Sequence, residues 1–125
     1  MGSLLRKRMI GIVDDDESVR EALDALVRSL GYETLTFVNA EEFLRSPGVA
    51  DIGCLIADLQ MPGLNGIELR CRLVTLGKPI PTILITAHPD ERTRRLAFGA
   101  GIVCYLAKPF NDDELIECLQ KATAA

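Results

Sequence analysis

Cys54-Leu55-Ile56-Ala57-Asp58 is the stretch that decides the fold, because it joins a strand-length apolar run to a carboxylate. Four consecutive apolar residues predict a strand that is buried on both faces, as in a parallel sheet covered by helices. Pro62-Gly63 then predicts a turn, and residues 66–76 predict a helix that stops at Gly77 and Pro79. The stretch is therefore one β-α unit with an acidic side chain at the end of its strand.

The same alternation of apolar strands and periodic helices continues on both sides of this unit. Further strands are expected at residues 9–13, 32–37, 82–86 and 102–106. Further helices are expected after the first strand, from the cap at Asn39 through Leu44, at 90–98, and after the cap at Asn111. The first helix places Val19, Ala22, Leu23, Leu26, Val27 and Leu30 on one face, and the last places Leu115, Ile116 and Leu119 there. Five β-α units predict an α/β fold, a doubly wound parallel sheet of five strands with five helices.

The composition is typical of one compact globular domain. The chain has 125 residues, of which 48% are hydrophobic and 26% are charged, close to the globular average. We assign residues 9–125 to this domain and residues 1–8 to a tail, in which Gly2-Ser3 is typical of a cloning remnant. The net charge of -4 disfavours direct binding to nucleic acid, and no apolar run reaches the roughly 20 residues that span a bilayer. We therefore expect a cytoplasmic protein with protein or cation partners.

The cysteines give no sign of a metal or disulfide framework. Cys54, Cys71, Cys104 and Cys118 form no Cys-x-x-Cys pair, and His88 is the only histidine. Such spacing supports neither a zinc site nor a disulfide-rich fold. We expect reduced thiols that are mostly buried.

Polar side chains follow four of the five predicted strands. Asp14, Asp15 and Asp16 come after the first strand, Asp58 after the third, Thr86 ends the fourth and Lys108 follows the fifth. The carboxyl ends of parallel strands meet at one edge of the sheet, so these side chains should lie in one crevice. Two carboxylates a few ångströms apart repel by about 4 kcal/mol at an effective dielectric near 20, and Lys108 supplies a single compensating charge. A hard divalent cation, Mg²⁺, suits the remainder, while Asp16 is expected to begin the first helix.

Asp58 is the candidate nucleophile of this crevice, because it stands alone at the end of the central strand. A carboxylate can accept a phosphoryl group while a cation offsets the charge of the transferring oxygens. Thr86 and Lys108 are then placed to bind the phosphoryl oxygens.

Four blocks of the sequence resemble the signature blocks of response-regulator receiver domains of bacterial two-component systems, the CheY-like superfamily. In chain order they are Val13-Asp14-Asp15-Asp16, the block from Asp58 to Gly66, Ile85-Thr86-Ala87 and Lys108-Pro109-Phe110. The resemblance covers residues 9–122 and implies a flavodoxin-like sheet in the order 2-1-3-4-5.

The resemblance also implies roles for individual residues. Asp58 is the phosphoacceptor, and its donor is a phosphohistidine on a sensor histidine kinase. Mg²⁺ is bound by Asp14, Asp15, Asp58 and the backbone carbonyl of Gln60. Thr86 and Tyr105 form the switch pair, Lys108 contacts the phosphoryl group, and the Lys108-Pro109 bond is cis. Gln60 and His88 occupy positions that tune the lifetime of the aspartyl phosphate. Such a domain is a signalling module that assists its own phosphorylation and dephosphorylation.

A narrower resemblance concerns the output. Residues 37–44 and the lead-in at 54–56 resemble receivers that precede LuxR-type DNA-binding domains. This implies a C-terminal output domain and control of transcription. Separately, phosphorylation of Asp58 is expected to change the face of the fourth helix, fifth strand and fifth helix and so to promote a homodimer or contact with an output domain.

Two other functions are compatible with the same residue types. Haloacid-dehalogenase-like phosphatases use an aspartate nucleophile and Mg²⁺, and residues 14–18 fit their Asp-x-Asp-x-Thr/Ser block, but they need an acidic pair on a further strand after the lysine. A receiver-like interaction module would take no phosphate, although every reactive position is filled here.

Overall fold

The computed structural model describes residues 9–124, so the predicted tail of residues 1–8 lies outside the described residues. Its strands are β1 (Met9–Val13), β2 (Glu33–Phe37), β3 (Cys54–Asp58), β4 (Thr82–Thr86) and β5 (Cys104–Ala107). They form one parallel sheet in the order β2-β1-β3-β4-β5. The predicted fold class and strand order are therefore confirmed.

A helix follows each strand, and each helix begins at a side-chain cap. The helices are α1 (Glu17–Ser29), α2 (Ala40–Arg45), α3 (Gly66–Thr75), α4 (Glu91–Gly99) and α5 (Asp112–Thr123). The capping side chains, which accept hydrogen bonds from first-turn N–H groups, are Asp16, Asn39, Asn65, Asp90 and Asn111. These N–H groups have no partner inside the helix, so the caps fix where each helix starts.

Several element boundaries differ from the prediction. β5 begins at Cys104 rather than at residue 102, because Gly101 has a φ of 91° and the Ile102 N–H still bonds the Ala97 carbonyl at 3.2 Å. β2 begins at Glu33, one residue late, and β3 extends to include Asp58. The predicted stop after α2 contains a 3-10 helix, Pro47–Asp51, capped by the Ser46 hydroxyl.

The hydrophobic residues form two core layers, one on each face of the sheet. Alternate side chains of a strand point to opposite faces, so β1 sends Ile10 and Ile12 to one layer and Val13 to the other. The layer under α1 and α5 includes Leu23, Val27, Leu115 and Leu119. The layer under α2, α3 and α4 includes Phe43, Leu69, Leu73 and Ala97. Covering both faces leaves only the ends of the strands open for polar chemistry.

The predicted apolar face of α1 and the prediction of mostly buried thiols are confirmed, but two of these side chains are exposed. Ala22 is exposed, because it lies at the margin of the apolar face of α1, where it lines a groove with Pro109 and Phe110. Cys54 and Cys118 are buried and Cys104 is half-buried, but Cys71 is exposed, because it lies on α3 opposite the buried Leu69 and Leu73. Within residues 9–124, no helix combines the length and apolar character needed to cross a membrane.

Candidate functional site

Three carboxylates meet at the carboxyl ends of β1 and β3. These strands are neighbours, and Val13 pairs with Ala57 in their register, so the next residue of each strand brings Asp14 beside Asp58. Oxygens of Asp14, Asp15 and Asp58 lie within 4.8 Å of one another. Asp14 and Asp58 are buried and Asp15 is exposed. We call the edge of the sheet at the carboxyl ends of its strands, which carries this cluster, the rim. The cluster forms the floor of the rim and is open to solvent at Asp15.

The three consecutive aspartates have separate surroundings. Asp14 accepts from the Asp16 N–H at 2.9 Å, and its backbone carbonyl accepts from the Arg20 guanidinium at 2.8 Å. Asp16 turns away and caps α1 by accepting from the N–H groups of Ser18 and Val19 at 2.9 and 3.2 Å. The interpretation of Asp16 as the start of the first helix is thus confirmed.

Lys108 brings the one ammonium group that contacts this carboxylate cluster among the described residues. Its Nζ lies 2.6 Å from Asp58 Oδ2 and 3.4 Å from Asp14 Oδ2. Its backbone N–H bonds the Thr86 carbonyl at 2.8 Å, and the following bond to Pro109 is cis, as predicted. Lys108 follows β5, and its side chain extends past β4 to the cluster. The hydrogen bond to Thr86 holds its backbone in place.

Burial and charge set the protonation of this cluster. Burial raises the pKa of Asp14 to about 6, and the neighbouring Asp58 also raises it, while the Asp16 N–H and Lys108 oppose the change. Burial lowers the pKa of Lys108, but its hydrogen bond to Asp58 and the charges of Asp14 and Asp58 outweigh this, so that pKa is raised. The lysine stays charged, and the cluster still has more carboxylates than cations.

These residues fit a divalent cation of the Mg²⁺ type. The three carboxylates offer hard oxygen ligands, one of them at the solvent-facing side, and Mg²⁺ characteristically takes one or two protein carboxylates and keeps several waters. A second positive charge would also offset the repulsion that raises the pKa of Asp14. The donor set and its charge therefore match the predicted cofactor.

Gln60 connects the phosphoacceptor candidate to Thr86. Its backbone N–H donates to Asp58 Oδ1 at 2.8 Å. Its side-chain Oε1 accepts from the Thr86 hydroxyl at 2.8 Å, and that hydroxyl accepts from the His88 N–H at 3.0 Å. Thr86 is fully buried at the end of β4. The Thr86 side chain thus reaches Gln60 rather than a carboxylate of the cluster.

The remaining predicted site residues lie farther out. Tyr105 pairs with Leu84 in the register of β4 and β5, is half-buried and packs on the core layer under α4. Its hydroxyl is buried without a hydrogen-bond partner among residues 9–124. His88 is exposed, and its described hydrogen bond to Thr86 comes from its backbone. The structure therefore brings Asp14, Asp15, Asp58 and Lys108 together and leaves Tyr105 and His88 outside that group.

Glu41 is a residue whose place at the site the sequence did not indicate. Its carboxylate on α2 accepts from the Leu64 N–H at 3.1 Å, and this bond lowers the pKa of Glu41. It therefore holds the loop that follows Asp58. In the sequence Glu41 is an ordinary first-turn acidic residue, and no local signal links it to Leu64.

The fold and the rim together define a doubly wound α/β protein with an acidic pocket beside a half-buried lysine. The model of the response regulator receiver domain family matches residues 10–120. The response regulator protein TmoT of Ectopseudomonas mendocina is 38% identical over 94% of this chain and 53% of its own length. The transcriptional regulatory protein FixJ of Bradyrhizobium diazoefficiens is 38% identical over 93% and 57%. A structure of the response regulator StyR superposes with a TM-score of 0.84 at 40% identity, over 92% of this chain and 58% of that one.

The chain belongs to the response regulator receiver domain family. It is a signalling domain of the two-component type, similar to FixJ-type regulators, and it spans about half the length of the curated relatives it matches. A phosphoacceptor role and an Mg²⁺-binding acidic pocket are general to this family. The comparisons favour the receiver domain over the phosphatase alternative, because the matching family model is that of the receiver domain.

Proposed function

We propose that this domain takes a phosphoryl group from a phosphohistidine of a sensor histidine kinase onto Asp58 and thereby changes its output surface. The observation that carries the proposal is the placement of Asp58: a buried carboxylate at the end of the central strand, 2.6 Å from Lys108 and beside Asp14 and Asp15. Both oxygens are oriented, one by the Gln60 N–H and the other by Lys108. An aspartate held in this way is available as a nucleophile.

The transfer forms a bond between an Asp58 carboxylate oxygen and phosphorus and breaks the bond between phosphorus and the imidazole nitrogen of the donor. The imidazole leaves with the electron pair and takes a proton from solvent. Asp14, Asp15, Asp58 and the Gln60 carbonyl would hold Mg²⁺, which supplies positive charge to the phosphoryl oxygens when it is bound. Lys108 contributes a further positive charge and keeps its place between Asp58 and Asp14. Water later hydrolyses the acyl phosphate, at a rate tuned by Gln60 and His88.

The signal would leave the site through Thr86 and Tyr105. A phosphoryl group presents strong acceptors, so it favours a state in which the Thr86 hydroxyl turns toward Asp58. Tyr105 then moves into the space that Thr86 leaves. The surface of α4, β5 and α5 changes as a result, and it carries Leu96 and Phe98, which are 58% and 40% exposed. We propose that this surface promotes a homodimer or contacts an output domain.

The relatives support a proposal about the setting of the domain. We propose that residues 9–125 act as the receiver of a cytoplasmic regulator whose C-terminal output domain binds DNA and controls transcription. The relatives are about twice as long as this chain, and one is described as a transcriptional regulatory protein. The net charge of -4 favours protein partners rather than direct nucleic-acid or membrane binding by the receiver.

The test is phosphorylation by a small phosphoryl donor with Mg²⁺, followed by intact-protein mass spectrometry. Wild type should gain one phosphoryl group, and Asp58→Asn should gain none. Asp113→Asn, at an exposed position in the first turn of α5, is the matched control and should label like wild type. Labelling of Asp58→Asn at the wild-type level would remove Asp58 from the role.

A further inference from the structure

The Thr86 hydroxyl is already fully engaged in this structure. A hydroxyl group has a single proton to donate, and here that proton is directed to the Gln60 side-chain carbonyl at 2.8 Å. The oxygen also accepts from the His88 N–H at 3.0 Å. Thr86 is fully buried, so the hydroxyl does not exchange freely with solvent. A new acceptor at Asp58 therefore has to displace Gln60 before it can recruit this proton.

The competing residue is also attached to the phosphoacceptor. The Gln60 backbone N–H donates to Asp58 Oδ1 at 2.8 Å, two residues along the chain. One residue thus contacts the nucleophile through its backbone and the switch threonine through its side chain. Gln60 therefore connects Asp58 to Thr86 through two hydrogen bonds, one from its backbone and one to its side chain.

The Gln60 side chain has room to leave. Gln60 is exposed, and it lines a groove of about 690 Å³ between the loop after β3 and α4, together with Thr93 and Leu96. Because Gln60 is exposed, the bond to Thr86 is the described side-chain hydrogen bond that its departure would break. The released amide enters a space bordered by α4, which is the helix of the proposed output surface.

We propose that Gln60 is a latch that holds Thr86 in the resting state, so that the side chain of Gln60 opposes activation until a phosphoryl group on Asp58 takes over the threonine proton. This inference rests on the proposed function of Asp58 and Thr86. Gln60 acts here as a positioning residue, because it works through Thr86 rather than on the phosphoryl group. Breaking the bond between Gln60 and Thr86 costs free energy, and this cost reduces the net affinity for the phosphoryl group.

The test is an NMR titration with beryllofluoride in saturating Mg²⁺. The amide chemical shifts report binding and give the affinity. Gln60→Leu keeps the size of the side chain and removes the acceptor. It should bind beryllofluoride about threefold to tenfold more tightly than wild type, the range expected for one net side-chain hydrogen bond. Gln120→Leu makes the same change at an exposed site on α5 and should bind like wild type.

A double-mutant cycle separates the latch from a general structural effect. Thr86→Val removes the hydroxyl, so adding Gln60→Leu to that background should leave the affinity unchanged. The latch would be overturned if Gln60→Leu alone bound beryllofluoride no more tightly than wild type. It would also be overturned if Gln60→Leu gave the same gain in the Thr86→Val background as it gives alone. If wild type binds no beryllofluoride in Mg²⁺, the proposed function itself fails, and the latch fails with it.

Discussion

The rim around Asp58 and the helix α4 lie on the same sheet but are held by different forces. At the rim, Asp14 and Asp58 are buried, and Lys108, Asp16 and Gln60 supply hydrogen bonds at 2.6–2.9 Å to their carboxylates. In α4 the one buried residue is Ala97, and Leu96 and Phe98 are 58% and 40% exposed. The Arg94 guanidinium carbon lies 4.9 Å from the centre of the Phe98 ring. Both side chains are exposed, so this contact lies at the surface.

This difference indicates how the domain divides its work. Charged groups can be held at fixed distances only where several elements converge and their hydrogen bonds are satisfied, so the chemistry is confined to the rim. A helix that buries little apolar surface opens or shifts at low free-energy cost, which suits an element that must respond. α5 provides the internal control, because it covers the same sheet with four buried residues, Leu115, Cys118, Leu119 and Ala122.

The largest expected effect is a difference in the free energy of unfolding between the same truncation, Leu to Ala, made in α5 and in α4. Leu115→Ala in α5 should lower the free energy of unfolding by about 2–5 kcal/mol, because Leu115 is fully buried and a cavity remains. Leu96→Ala in α4 should change it by at most about 0.5 kcal/mol, since the side chain is 58% exposed. Urea unfolding of both variants makes the measurement. Similar losses in the two variants would mean that α4 is held as firmly as α5.

The next effect concerns the charge balance of the rim. Lys108→Met should lower the free energy of unfolding by about 1–3 kcal/mol in Mg²⁺-free buffer near pH 7, because Asp58 and Asp14 lose a charged hydrogen-bond donor. Mg²⁺ should then raise the melting temperature of the variant more than that of wild type, since the cation replaces the lost charge. Lys121→Met, on an exposed part of α5, is the control and should show neither change.

The same variant has a pH dependence of known sign. The pKa of Asp14 is already raised to about 6, and Lys108 is one of the groups that lower it, so removing Lys108 raises it further. An acid with a raised pKa in the folded state favours folding as the pH falls through that pKa. The stability deficit of Lys108→Met should therefore shrink between about pH 7.5 and about pH 5. A deficit that grows on acidification would contradict this account of the rim.

The smallest expected effect is a change in local opening. Amide hydrogens of α4 should exchange faster than those of α5 in the resting domain, because fewer buried contacts hold α4. Beryllofluoride with Mg²⁺ should alter exchange most in α4 and β5, with a smaller change in α5, which has more buried contacts. Mass spectrometry of deuterium uptake measures both. No change in α4 and β5 at full occupancy of Asp58 would place the switch elsewhere.

The fold was largely predictable because its signals are local. Apolar runs marked the strands, and short polar side chains such as Asn39 and Asn111 marked the helix starts. The boundaries that were wrong depended on contacts between elements: β5 starts late because the chain around Gly101 and Ile102 is still bonded to the end of α4. The exposure of Ala22 and Cys71 has a related cause, since periodicity gives the face of a helix but not how far the neighbouring element extends over it.

The sequence by itself determined which polar residues end the strands, and parallel topology then requires them to share one rim. Only the tertiary structure decided which of them touch. Lys108 reaches Asp58 across 50 positions of the chain, Thr86 reaches Gln60 across 26, and Glu41 reaches Leu64 across 23. A sequence pattern specifies the element and face of a residue. Hydrogen bonds form only within a few tenths of an ångström of their preferred length, so the choice of partner depends on how the strands and helices finally pack.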